Sequence, residues 1–172
     1  MLNDAIEAIK EGKDPNDKTI KKNVTQIELH IPVFLPDTYI FDVNTRLNIY
    51  KRLATCIHKD QIDDLKGELI DRFGPLPNEA LNLIEITHLK LIAKKLGIES
   101  IEYNARSGNM AFSDKIMVDL EYLTKLITEH FDEFRPDGPK GLKLLHKCPE
   151  IKERLEYVSN LLNEMLEHYK EE

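Results

Sequence analysis

The sequence predicts an α+β fold, with helices packed around one central buried helix beside a small, mainly antiparallel sheet. Three observations carry that reading. Residues 78–96 are apolar at helical spacing on nearly every side, and a helix apolar all round is buried all round. Residues 26–31 alternate perfectly, Ile27, Leu29 and Ile31 against Gln26, Glu28 and His30, which is the period of a half-buried strand. The remaining strand-like segments, about four in all, do not alternate with the helices as a parallel α/β chain would require.

The elements follow in order. Residues 1–11 read as a short helix with Leu2, Ala5, Ile6 and Ile9 on one face and nothing adjacent to cover it. Residues 12–24, opening Gly12-Lys13-Asp14-Pro15, read as a tether. After the strand at 26–31, Pro32 and Pro36 force an extended connection. Asp42 is a good N-cap, because its carboxylate accepts the free amide hydrogens of a first helical turn. Val43, Leu47, Tyr50, Leu53, Ala54 and Ile57 follow it on one face. Asp60 is expected to cap a second helix, with Ile62, Leu65, Leu69 and Phe73 inward, stopped by Gly74-Pro75-Leu76-Pro77. Asn78 is expected to cap the central helix, and Gly97 closes it.

Residues 98–103 and 109–112 read as a hairpin around Asn104–Gly108. Asp119 can cap a helix carrying Leu120, Leu123 and Ile127. Residues 135–139 read as a turn and 142–146 as a short strand. A surface helix then runs from Pro149 to about Tyr169, its stripe formed by Ile151, Leu155, Val158, Leu161, Leu162, Met165 and Tyr169.

A chain of 172 residues and 20.0 kDa buries enough surface to fold without disulfides or structural metals. Its 24 basic and 31 acidic side chains give a net charge of −7, the wrong sign for a general nucleic-acid surface. The two cysteines, Cys56 and Cys148, form no CxxC, which suits a reducing cytosol. No stretch reaches about 18 consecutive apolar residues, the length a membrane-spanning helix needs.

The chemistry that would mark an enzyme is missing from the sequence. Gly138-Pro139-Lys140-Gly141 has glycines and a lysine, but Pro139 removes an amide hydrogen that a phosphate loop would use. The six histidines never fall at HxH or HExxH spacing. Cys56 has Lys51, Arg52 and His58 nearby in sequence, and a quiet, partly buried thiol is its default. No catalytic, cofactor-binding or metal-ligating residue is assigned.

Two surface features remain. Asp64, Glu68 and Asp71 fall at i, i+4 and i+7, opposite Leu65, Leu69 and Phe73, with only Lys66 and Arg72 nearby for relief. Like charges at that spacing cost a helix a few tenths of a kcal/mol. The stripe is either a solvated face or a docking patch for an arginine-bearing partner, since guanidinium forks pair well with carboxylates. Lys90, Lys94 and Lys95 end the central helix, where cations suit the helix dipole. A nucleic-acid patch would want more arginine and aromatic residues.

The runs Leu35-Pro36-Asp37, Asp42-Val43-Asn44-Thr45-Arg46-Leu47-Asn48-Ile49-Tyr50-Lys51-Arg52 and Glu68-Leu69-Ile70-Asp71-Arg72-Phe73-Gly74-Pro75-Leu76-Pro77 resemble the C-terminal domain of the bacterial transcription–repair coupling factors, the Mfd family. The likeness continues through Lys95-Leu96-Gly97-Ile98 and Asp137-Gly138-Pro139, and covers about residues 25–165 in order. It implies a division into residues 1–24, a trailing helix of an upstream motor domain plus linker, and residues 25–172, a C-terminal regulatory domain.

The parent implied by the resemblance is an ATP-driven double-stranded-DNA translocase. It removes stalled RNA polymerase in the cytoplasm and recruits UvrA for nucleotide excision repair. ATP and Mg would belong to its motor domains, with no cofactor in this stretch. The domain itself would be a non-catalytic, autoinhibitory clamp. It would dock on the N-terminal UvrB-like module and mask UvrA binding, with Glu68 and Asp71 against that module's arginines and Asp64 as a weaker neighbour. The alternative is an accessory nucleic-acid-binding domain of the same motor.

Overall fold

The computed structural model describes residues 24–171. The helix expected at 1–11 and nearly all of the tether expected at 12–24 lie outside the described residues. Within them the order is β1 (Gln26–Glu28), α1 (Val43–Thr55), α2 (Lys59–Phe73), α3 (Asn78–Leu96), β2 (Ile98–Tyr103), β3 (Gly108–Phe112), α4 (Leu120–Glu129), β4 (Phe134–Pro136), β5 (Gly141–Leu144) and α5 (Ile151–Glu167). The strands form one sheet in the order β1-β2-β3-β5-β4. β1 runs parallel to β2, and every other pairing is antiparallel. This is the expected α+β architecture.

The core has two parts that meet at α3. Leu35, Ile40, Ile49, Leu53, Ile62, Leu65 and Leu69 pack on Ala80 and Ile84 at the start of α3. Ile86, Leu89, Ala93 and Leu96, further along the same helix, pack with one face of the sheet and with Val158, Leu161, Leu162 and Met165 of α5. The all-round apolar pattern of α3 therefore has a direct cause: it is wedged between a helical half and a sheet half. Gly97 ends it at φ 79. A Cβ there would lie 2.1 Å from the carbonyl oxygen of Lys115, so glycine is needed both for the backbone and for the space.

Several local expectations shift. β1 ends at Glu28, because His30 takes a left-handed φ of 55 and turns its N–H onto the Glu28 carboxylate at 2.8 Å. Leu29 is still buried, so the alternation outlasts the ladder. On α1 the inward pair is Ile49 and Leu53, one helical turn apart, whereas Val43 at its start is exposed. Ile57, expected on the same face, lies beyond the end of α1 at Thr55 and is exposed in the connection to α2.

α2 begins before Asp60, with His58 at the cap position. Gln61 reaches back to accept from the N–H groups of Ile57 at 2.7 Å and His58 at 3.1 Å, which does the capping expected of Asp60. Pro77 rather than Asn78 stands at the cap of α3. Arg135 and Pro136, read as part of a turn, belong to β4. An edge strand tolerates Pro136 because no neighbour needs its amide hydrogen. The turn itself is tighter, closed by Asp137 N–H on the Gly141 carbonyl at 2.9 Å.

Among the described residues Arg154 is the one buried cation, 5% exposed. It donates to the carbonyls of Leu29 at 2.7 Å and Cys148 at 3.1 Å. These bonds tie α5 to the chain leaving β1 and satisfy the guanidinium without a carboxylate.

Candidate docking surface

α1 and α2 form a helical pair whose buried residues face α3 and whose opposite side meets solvent. Asp42 caps α1, accepting from Thr45 N–H at 3.0 Å and from the Thr45 hydroxyl at 2.7 Å. Those bonds hold its carboxyl below the usual range. Tyr39 fastens the same end of the pair, donating to the carbonyls of Leu69 and Gly74 at 3.1 and 2.8 Å. The surface of α2 is thus presented on a supported frame rather than on a loop.

Asp64, Glu68 and Asp71 all lie on the outward side of α2, as their spacing requires. The structure separates them, however. Asp64 and Asp71 are exposed and have no ion-pair partner among the described residues. Glu68 is half-buried and already engaged. Arg52 of α1 forks onto it, Nη1 to Oε2 at 2.5 Å and Nη2 to Oε1 at 3.2 Å. Arg72, one turn along α2, brings Nη1 to 3.5 Å from the same Oε2 and lies 4.8 Å over the Phe73 ring. The hydrogen bond from Arg52 holds the Glu68 carboxyl below the ordinary carboxylate range and raises the guanidinium in turn.

Sequence reasoning placed Arg72 near the stripe but missed Arg52. The two partners are sixteen residues apart on different helices, a distance over which no periodicity carries information. Beside the pair runs an open polar cleft of about 330 Å³, lined by Asp42, Asn44, Thr45, Asn48, Ile49, Arg52 and Arg72.

Elsewhere the chemistry is quiet. Burial pushes the Cys56 thiol up, away from the reactive range. Lys140 of the glycine-containing turn pairs with Asp114. Lys95 sits 5.0 Å over the Tyr169 ring. His88 Nε2 lies 3.1 Å from Asp63 Oδ1, close enough for an ion pair when the ring is protonated but too poorly aligned for a hydrogen bond. Among the described residues no cluster of His, Cys, Asp and Glu is arranged to hold a metal, and no helix is long and apolar enough to cross a membrane.

The family model of the TRCF domain matches residues 29–123, which includes both helices of this surface. The transcription-repair-coupling factor of Escherichia coli (strain K12) is 38% identical over 168 residues, 98% of this chain and 15% of that protein. That of Haemophilus influenzae is 40% identical over 162 residues, 94% of this chain and 14% of that protein. The chain therefore spans a small part of the relatives' own length. A crystal structure of a C-terminal domain of transcription-repair coupling factor superposes with a TM-score of 0.67 at 22% identity, covering 85% of this chain and 94% of that one. It has the same fold.

Proposed function

The chain belongs to the TRCF-domain family found in transcription-repair-coupling factors, and from that premise we propose that it is a non-catalytic regulatory domain that docks through the acidic face of α2. The docking site is Glu68 and Asp71, with Asp64 as a weaker neighbour. The partner is the N-terminal UvrB-like module of the parent protein, whose UvrA-binding surface is masked while the domain is docked. The parent is a cytoplasmic, ATP-dependent DNA translocase of transcription-coupled repair, and ATP and Mg act in its motor domains rather than here.

The observation that carries this reading is the state of the three carboxylates. Glu68 binds a guanidinium fork within the domain itself, so this face accepts the chemistry proposed for the partner. Asp64 and Asp71 remain open on either side of it. The test lies in the parent protein. Closure and UvrA binding compete for one surface, so Glu68→Ala with Asp71→Ala should raise UvrA affinity in the absence of polymerase. Unchanged UvrA affinity would count against the clamp. The alternative, a nucleic-acid-binding domain, requires affinity for DNA that falls steeply with salt. Lys90, Lys94 and Lys95 are the residues available for it, and a flat, weak response would dismiss it.

A further inference from the structure

We propose that Arg52 is a built-in competitor for the docking carboxylate, so that docking proceeds by exchange of one guanidinium for another on Glu68. This rests on the reading of α2 as the docking face. Three observations lead to it. First, Glu68 is not free to receive a partner: both its oxygens face Arg52, at 2.5 and 3.2 Å. A side-on fork uses the two lone pairs that an incoming fork would want. Second, the two neighbouring arginines are not equivalent. Arg72 stands off at 3.5 Å and is held over Phe73 at 4.8 Å, so it can stay in place while a partner enters. Arg52 makes the hydrogen bonds and must yield.

Third, the pair can open. Arg52 and Glu68 side chains are 45% and 36% exposed, so the released guanidinium returns to water rather than to an apolar pocket. The open cleft lined by Asn44, Thr45 and Asn48 gives it somewhere to swing. An exposed ion pair shifts an equilibrium constant by a factor of about 1.4 to 5. Arg52 thereby weakens docking by that factor without abolishing it. A clamp that must let go benefits from such a contact, because the carboxylate is never left bare when the partner leaves. Asp71, with no internal partner among the described residues, carries no such handicap.

The test is a four-cornered titration of this chain against the parent's N-terminal UvrB-like module: wild type, Arg52→Ala, Glu68→Gln and the double variant. Arg52→Ala should tighten docking about 1.4- to 5-fold, and the same change in the Glu68→Gln background should do nothing. Arg52→Lys keeps the charge but loses the fork, so it should tighten docking by a smaller factor. Weaker or unchanged docking of Arg52→Ala would overturn the proposal. So would equal tightening in the Glu68→Gln background, which would mean simple removal of like charge facing the partner. Glu68→Gln alone reports on the docking reading. If it docks like wild type, that reading fails at Glu68 and the exchange fails with it. If Glu68→Gln weakens docking while Arg52→Ala does not tighten it, only the exchange is lost.

Discussion

The helical half and the sheet half hang on the same helix but meet solvent differently. In the sheet half, burial alternates along β3 and β5 and along β2 after the register shift between Ile98 and Ser100, so one face is core and the other is exposed. α5 and α3 cover the inner face, and Tyr103, Leu144, Leu162 and Met165 are sealed off. The helical half is a thinner layer. Ile49, Leu53, Ile62, Leu65 and Leu69 rest on the first turns of α3, and the carboxylates lie on the outer side of α2. The difference teaches that the sheet half supplies the platform and the helical half the working surface. Disturbing the small core therefore moves the docking residues directly.

The largest expected effects test whether the halves are one cooperative unit. Leu69→Ala and Leu162→Ala each empty a fully buried site, one per half, and should cost about 2–5 kcal/mol. Urea unfolding should show a single transition for both, because α3 is common to the two cores. A biphasic curve for Leu69→Ala alone would show that the helical half melts by itself. Gly97→Ala strikes the joint between them. It combines a left-handed backbone with a collision against Lys115 and should cost about 2–4 kcal/mol in the same experiment. Near-wild-type stability would mean that α3 and β2 are loosely joined.

Smaller effects separate the halves by pH. In the helical half Asp42 and Glu68 have lowered pKa values. Their folded values lie below the unfolded value of about 4, so their stabilisation is complete above that pH and is lost as pH falls through the folded values. In the sheet half burial raises Tyr103, Tyr122 and Tyr157 strongly. Their stabilisation is complete below about pH 10, the unfolded value, and is lost as pH rises beyond it. Tyr39 of the helical half is also raised by burial, without reaching the same elevation. Glu68→Gln should therefore reduce the loss of stability as pH falls below about 4, still in one cooperative transition, and tyrosine absorbance should report the sheet half at high pH. An acid dependence of stability unchanged in Glu68→Gln would erase the distinction.

The smallest expected effect concerns Gly67, on the exposed side of α2. A Cβ there meets nothing within 4 Å, so the domain's own packing does not require glycine. Gly67→Ala should stabilise the chain by up to about 1 kcal/mol, readable as a higher urea midpoint. A loss of stability would show that α2 is strained in a way its geometry does not reveal.

Much of this was legible in the sequence because it is local. The period of residues 78–96 and Gly97 after them give α3 and its end. The spacing of Ile62, Leu65 and Leu69 gives the inner face of α2, and with it the outward position of Asp64, Glu68 and Asp71. What escaped depends on tertiary neighbours. Val43 matches the helical period of α1, yet no core lies opposite it, and Ile57 continues that period past the point where α1 ends. β4 was hidden by Pro136, which signals a turn unless the strand is known to be at an edge. The Arg52–Glu68 fork, the feature that divides the acidic stripe into one engaged and two open carboxylates, depends on how α1 lies against α2.

The account turns on whether that stripe is a contact, and a titration of this chain against the parent's N-terminal UvrB-like module addresses it most directly. Wild type, Asp71→Ala, Glu68→Ala and the double variant are compared at one ionic strength, with unfolding curves alongside. Folding should change by no more than about 1 kcal/mol, since an exposed ion pair contributes little. Docking should fall at least roughly thirtyfold in the double variant, as expected when partly desolvated arginines lose their carboxylates. Asp71→Ala should weaken it more than Glu68→Ala, because Glu68 must first release Arg52. A folded double variant that docks with wild-type affinity would contradict the account and leave the acidic face of α2 a solvated surface.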